Sequence, residues 1–176
     1  MSFLKRNKIK LLTVLILITA ICLGGCGQSG SKGGGEYTCT ISISCATVLD
    51  NMDNLKKEKA EIIPDDGYFL KPTEVSFDEG ESVFDVLLRT CKENKLHFEY
   101  VDTPLYNSAF IEGIGNLYQF DCGTASGWMY SVNDWFPNYG TSRYKLKDGD
   151  VVCVVYTCDL GADVGGDYAA TPATAG

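Results

Sequence analysis

The chain has 176 residues, 45% of them hydrophobic and 22% charged, with a formal net charge of -8. That length suits one ordinary domain with appendages, and the apolar fraction excludes wholesale disorder. The acidic balance supplies no basic surface to neutralise phosphates, so nucleic acid is not an expected partner. Eight cysteines are many for a chain kept in a reducing cytosol.

In chain order, Lys5, Arg6, Lys8 and Lys10 precede a predominantly apolar run, Leu11 to Leu23. The run is long enough for the core of a secretory signal and short for a membrane span. Leu23-Gly24-Gly25-Cys26 follows and resembles a bacterial lipobox, in which the cysteine is lipidated and the chain is cut just before it. The expectation is a signal peptide over 1–25 and a lipid on Cys26 that holds the protein to the bilayer, outside the cytoplasm. An uncleaved N-terminal anchor is the alternative. Residues 1–25 carry four of the fifteen Lys+Arg and no acids, so their removal leaves eleven Lys+Arg against 23 Asp+Glu, a net charge of -12.

Residues 26–35 are the lipid site and a Gly/Ser-rich tether. Residues 162–176, rich in Gly, Ala and Thr, read as a disordered tail. The domain therefore spans about 36–161. Tyr37, Cys39, Ile41, Ile43 and Cys45 alternate with polar residues, which predicts a half-buried strand. Val48, Leu49, Met52 and Leu55 at helical spacing predict a short helix. Tyr68 to Leu70 and Val75 to Phe77 are two short strand candidates. Ser82 with Asp85 forms a capping-box pattern ahead of an apolar stripe at Val83, Val86, Leu87, Thr90 and Cys91, so the main helix is predicted over 82–95. His97 to Val101, Leu117 to Phe120 and Gly127 to Asn133 are further strand candidates. Asn133-Asp134 reads as a hairpin turn. Val151 to Tyr156, continuously apolar, reads as a central strand covered on both faces. This order predicts an α+β domain, a mixed sheet on one main helix with an aromatic-rich hairpin.

No phosphate loop, dinucleotide fingerprint, zinc-protease or nucleophile-elbow motif occurs, and no CxxC. The single histidine, His97, reads as structural. Thr157-Cys158 at a strand end resembles the catalytic strand of sortases, but no Arg or Lys follows Lys147 to stabilise an oxyanion. A non-enzymatic protein is expected. Six cysteines remain for the domain: Cys39, Cys45, Cys91, Cys122, Cys153 and Cys158. Outside the cytoplasm these are disulfide candidates, with fifteen connectivities open. Cys45 with Cys158 is preferred, because both follow strands expected to be neighbours, and Cys91 with Cys122 is second. The alternative is that several are buried thiols.

Six of the twenty aromatic residues fall between Ser126 and Tyr144. Trp128 and Tyr130 alternate on a strand; Trp135, Phe136 and Tyr139 lie beyond the turn among Asn and Gly. Such aromatics either bind a flat apolar ligand or cover the edge of the core. The ordered motifs Gly127-Trp128-Met129-Tyr130-Ser131-Val132-Asn133, Phe136-Pro137-Asn138-Tyr139-Gly140, Leu146-x-Asp148-Gly149-Asp150-Val151 and Tyr156-Thr157-Cys158-Asp159-Leu160-Gly161 resemble the transcobalamin-like C-terminal domain family, DUF4430. Gly80 to Leu87 and Tyr106-x-x-x-Phe110-Ile111-x-Gly113-Ile114 fit it too. The resemblance implies a β-grasp-like fold and a corrinoid ligand. In vitamin B12 carriers the similar domain closes over one face of cobalamin, and a helical domain absent from this sequence covers the other. It also implies ligand-binding roles for Trp128, Tyr130, Asn133, Trp135, Phe136, Asn138 and Tyr139, with a membrane transporter or a second chain as partner. A surface adhesion module for protein or glycan is the alternative.

Overall fold

The computed structural model describes residues 35–103 and 108–166. The expected leader, the expected lipid site at Cys26, most of the expected tether, Tyr106 and residues 167–176 lie outside these. Alternation in the first segment produces β1 (Tyr37–Ser44), whose Cys39, Ile41 and Ile43 are buried. It pairs antiparallel with β2 (Tyr68–Phe77) and parallel with β7 (Val151–Thr157); β7 pairs antiparallel with β6 (Gly127–Val132). The sheet is therefore mixed, in the order β2-β1-β7-β6. A second, antiparallel sheet contains β3 (Phe98–Thr103), β4 (Ser108–Ile114) and β5 (Leu117–Tyr118). The fold is α+β, with α1 (Ala46–Leu49) short and α2 (Val83–Glu93) the main helix.

The predicted capping box starts α2: Ser82 Oγ accepts from the Asp85 N–H, and the Asp85 carboxylate accepts from the Ser82 N–H at 2.8 Å. Together they satisfy two amide donors that the first turn leaves unpaired. The apolar stripe of α2 then joins Ile41, Ile43, Val154 and Tyr156 in one core.

Several expectations change. The two short strands around Pro72 are one ten-residue strand, β2. It lies at the sheet edge, where proline's missing N–H breaks no ladder bond. Strand β4 has no counterpart in the predicted elements, because its sequence, Ser-Ala-Phe-Ile-Glu-Gly-Ile, has small and glycine residues that blur a period of two. Strand β5 stops at Tyr118, and Phe120 takes a left-handed φ of 66°. β7 is central as predicted but fully covered on one face only: Val152, Val154 and Tyr156 are buried, while Val151 is 44% exposed. α1 buries Val48 and leaves Leu49 exposed. The ordered chain continues past residue 161 through a 3-10 turn, Ala162–Val164.

All six described cysteines are thiols, so neither Cys45 with Cys158 nor Cys91 with Cys122 is bonded. Cys91 lies on α2 deep in the core, where burial pushes its thiol up to about 12, and Cys45 is pushed up to about 12 for the same reason.

One ion pair is buried on its acidic side. The Asp121 carboxylate is held by Lys56 Nζ at 2.9 Å and Lys59 Nζ at 3.3 Å, and also accepts from the Tyr118 N–H at 2.8 Å. Burial alone raises the carboxyl; these hydrogen bonds and charges outweigh it and leave the carboxyl below its ordinary range. A group depressed in the folded state contributes stability that is present above its unfolded value and lost as pH falls through the folded one. Stability to urea is therefore expected to fall with acid below about pH 4. Asp121→Asn is expected to be weaker at neutral pH and flatter across that acid window; an unchanged acid slope in the variant would contradict this role.

Candidate functional site

Turn chemistry fixes one wall of the site. Asn133 and Asp134 both adopt left-handed backbone, with φ of 51° and 64°, and Val132 and Trp135 exchange hydrogen bonds at 2.9 and 3.0 Å. This is a two-residue primed turn, the type that matches strand twist. The predicted turn is therefore present, but no second strand of a hairpin follows; one bridge is made, and residues 136–144 run as a loop.

The loop is tied down at four places. The Tyr144 carbonyl accepts from the Val83 N–H at 3.0 Å and the Thr141 carbonyl from the Phe84 N–H at 3.2 Å, so the loop completes the amino end of α2. Ser142 Oγ accepts from the Ala109 N–H at 3.0 Å, linking the loop to β4. Tyr130 Oη donates to the Tyr139 carbonyl at 3.0 Å, linking it to β6. Gly140 passes so close to β4 that a Cβ there would collide with Ser108 Oγ and the Ala109 carbonyl.

Between these elements lies a groove of about 290 Å³, walled by β4 at 109–111, β6 at 128–130 and the loop at 137–141. Two smaller hollows continue it, one toward Arg143 and one toward Phe120 and Leu160. Phe110 borders all three and is 45% exposed. Strand β6 is the outer strand of its sheet, so the backbone groups on its outer side have no neighbouring strand. Thr141 is buried at the groove, and its Oγ1 has no hydrogen-bond partner. A buried hydroxyl without a partner is costly and marks a place where a ligand or water completes the structure.

The seven residues implied by the family resemblance divide three ways. Trp128, Tyr130, Asn138 and Tyr139 line the groove. Trp128 and Tyr130 are nevertheless mainly core: the Trp128 Nε1–H donates to the Leu117 carbonyl at 2.9 Å, and burial pushes the Tyr130 hydroxyl far up. Asn133 spends its side chain on the protein: Nδ2 donates to Asp150 Oδ1 at 2.8 Å and Oδ1 accepts from the Val151 N–H at 2.9 Å. Trp135 is 45% exposed and packs near the rings of Tyr139 and Tyr144, while Phe136 lies beside Met129 and Gly166; neither lines the groove. Phe110, Met129 and Thr141 were not singled out by residue type. Their signal is tertiary, because β4 meets β6 only in the folded chain.

The elements that build this groove, from α2 to β7, coincide with a match to the family model described as a domain of unknown function, DUF4430, over residues 80–157. The matched stretch is under half of the chain. The DUF4430 match leaves out β1 and β2 and includes both walls of the groove. Among solved structures, haptocorrin in complex with Cbi is similar at 13% identity and a TM-score of 0.48, covering 79% of this chain and 29% of that one. A Ruminococcus gnavus protein provisionally described as metal-binding is similar at 16% identity and a TM-score of 0.41, covering 69% of this chain and 97% of that one. The chain thus spans less than a third of haptocorrin. No curated protein matched. Among the described residues, no group of three or more His, Cys, Asp or Glu side chains is placed to hold a metal ion.

Proposed function

We propose that the groove beside Phe110 is a ligand-binding site, that the protein is a non-enzymatic binding module, and that its ligand is cobalamin or a related corrinoid. The observation that carries the binding reading is the unpartnered Thr141 hydroxyl at an apolar groove. Ligand sites combine apolar walls with a few polar groups that orient the ligand. Phe110, Met129 and Tyr139 supply the walls; Thr141 Oγ1, Asn138 and the outer backbone edge of β6 supply donors and acceptors. A corrin is broad and partly apolar with amide arms, which suits that mixture. The finer identification rests on the DUF4430 motifs. On this reading a lipid on Cys26 tethers the module outside the cytoplasm, and a transporter or second chain covers the ligand's other face.

Titration of the purified chain with cobalamin and with cobinamide, followed by tryptophan fluorescence corrected for ligand absorbance, tests it. Saturable quenching is expected, because Trp128 lines the groove. Phe110→Ala is expected to weaken binding about tenfold, the equivalent of ~1.4 kcal/mol of lost apolar contact. No saturable response to either compound up to millimolar concentration would remove the corrinoid reading.

One observation favours a second reading, an interaction surface for a partner protein. Phe110, Phe120 and Leu160 are 45, 52 and 75% exposed along the same hollow. Exposed apolar side chains grouped in this way mark contact surfaces. Capture of a protein partner that is lost in Leu160→Asp, without any corrinoid response, would favour it over the first.

A further inference from the structure

The six cysteines of the domain have different neighbours. Cys39 feels the charges of Asp150, Arg89 and Glu81, and Cys45 that of Asp66, but both are buried in the core. Cys91 is enclosed by core. Cys153 on β7 stands between Ser42 of β1 and Ser131 of β6. Cys122 and Cys158 are the exception, because each thiol perturbs the other. Both also meet the segment that begins with α1. Cys122 Sγ donates to the Asn51 carbonyl at 3.4 Å, Cys158 Sγ to Thr47 Oγ1 at 3.8 Å, and Asn51 Nδ2 to the Thr47 carbonyl at 2.8 Å. The backbone already fastens the two segments together. Gly127 pairs with Thr157, the Leu160 N–H donates to the Ala125 carbonyl at 2.9 Å, and Ser126 Oγ bonds both the Cys122 N–H and the Tyr156 hydroxyl.

We propose that Cys122 and Cys158 form a disulfide when the chain meets a disulfide-bearing oxidant, and that this bond clamps the groove wall formed by β6, the aromatic loop and β7. The closed loop from 122 to 158 contains Trp128, Tyr139 and Thr141, which line the groove opposite β4. Closing it removes unfolded conformations without moving a strand. Cys158 is the more exposed of the two and reacts first. Its thiolate attacks one sulfur of the oxidant and releases the other as a thiol, leaving a mixed disulfide. Cys122 then attacks Sγ of Cys158 and releases the second oxidant thiol. Two protein thiols become one disulfide, one oxidant disulfide becomes two thiols, and the two protons pass to the leaving sulfurs. Burial pushes the Cys158 thiol up to about 12, so the bond should form slowly at neutral pH and faster as pH rises.

The test is to incubate the purified full chain with oxidised glutathione, unfold it in guanidinium with N-ethylmaleimide so that every remaining thiol is blocked, and map cysteines by mass spectrometry without reduction. The expected product is one peptide pair joining Cys122 to Cys158, two hydrogens lighter than the thiols, with Cys39, Cys45 and Cys91 blocked. Reduction should lower the thermal midpoint by about 10 °C. The double variant Cys122→Ser, Cys158→Ser should fold and show no reduction-dependent shift. Blocked Cys122 and Cys158, a stable glutathione adduct on Cys158 alone, or linkage of either to another cysteine would overturn the proposal. The readout is covalent, so it is independent of whether a corrinoid binds.

Discussion

Tyr156→Ala is expected to lower the unfolding free energy by about 3–5 kcal/mol, the range for deleting a large aromatic from a close-packed core. Tyr156 is fully buried on the central strand β7, and its ring meets Trp128 edge to face at 5.2 Å. Its hydroxyl donates to the Tyr118 carbonyl at 2.7 Å and lies 2.9 Å from Ser126 Oγ. One side chain thus joins the main sheet, the end of the second sheet and the loop that carries Cys122. The alanine variant loses packing and leaves the Tyr118 carbonyl without this donor. Tyr156→Phe keeps the ring and isolates the hydroxyl, and a smaller cost of about 1–3 kcal/mol is expected. Urea unfolding of the three proteins measures both. Equal stability of the phenylalanine variant and the parent would show that the hydroxyl does not hold the sheets together.

Asn133→Ala is expected to cost about 2–4 kcal/mol, although Asn133 sits on the surface. Two effects add. Alanine is strained at φ 51°, where asparagine is tolerated, by about 1–2 kcal/mol. It also removes the amide that bonds the buried carboxylate of Asp150 and the Val151 N–H, a loss of about 1–2 kcal/mol. Asn133→Gly relieves the strain and keeps only the second loss, so it should recover part of the stability. Neither variant should weaken corrinoid binding once folded, because the Asn133 amide is committed to the protein. A tenfold loss of affinity with stability unchanged would instead assign Asn133 to the ligand, as the family resemblance implies.

The two residues show where sequence reasoning succeeds. Alternation marked β1 and β6, the capping box marked α2, and Asn133-Asp134 marked the turn, because each signal comes from residues that are neighbours in the chain. The apolar run at Val151 is central as its pattern predicts, but the expected cover on both faces is complete on one face only, which depends on what packs against the sheet. Strand β4 carries no local signal, because its ladder is completed by β3 and β5, not by its own pattern. The long β2 was split by Pro72, which an edge strand tolerates and a central strand does not.

For the candidate site, residue type identified aromatic material without separating its uses. Trp128 looks like a ligand contact by composition, yet its indole N–H is bonded to Leu117 and its ring packs on Tyr156. Phe110 is unremarked by composition, yet it borders the groove and both hollows that continue it. The same holds for sulfur. Six cysteines allow fifteen pairings, and only the antiparallel pairing of β6 with β7 and the segment at 47–51 bring Cys122 and Cys158 into one place.

The sequence by itself determined the α+β class, the main helix and its cap, the first and last strands, and the position of the aromatic segment. Those follow from short-range periodicity and backbone preference. Tertiary structure alone decided that β4 faces β6, that Thr141 is left without a partner between them, and that two cysteines 36 positions apart bond the same short segment. Each of these is a contact between distant parts of the chain. Such contacts depend on which elements pack together, and local pattern carries no record of that choice.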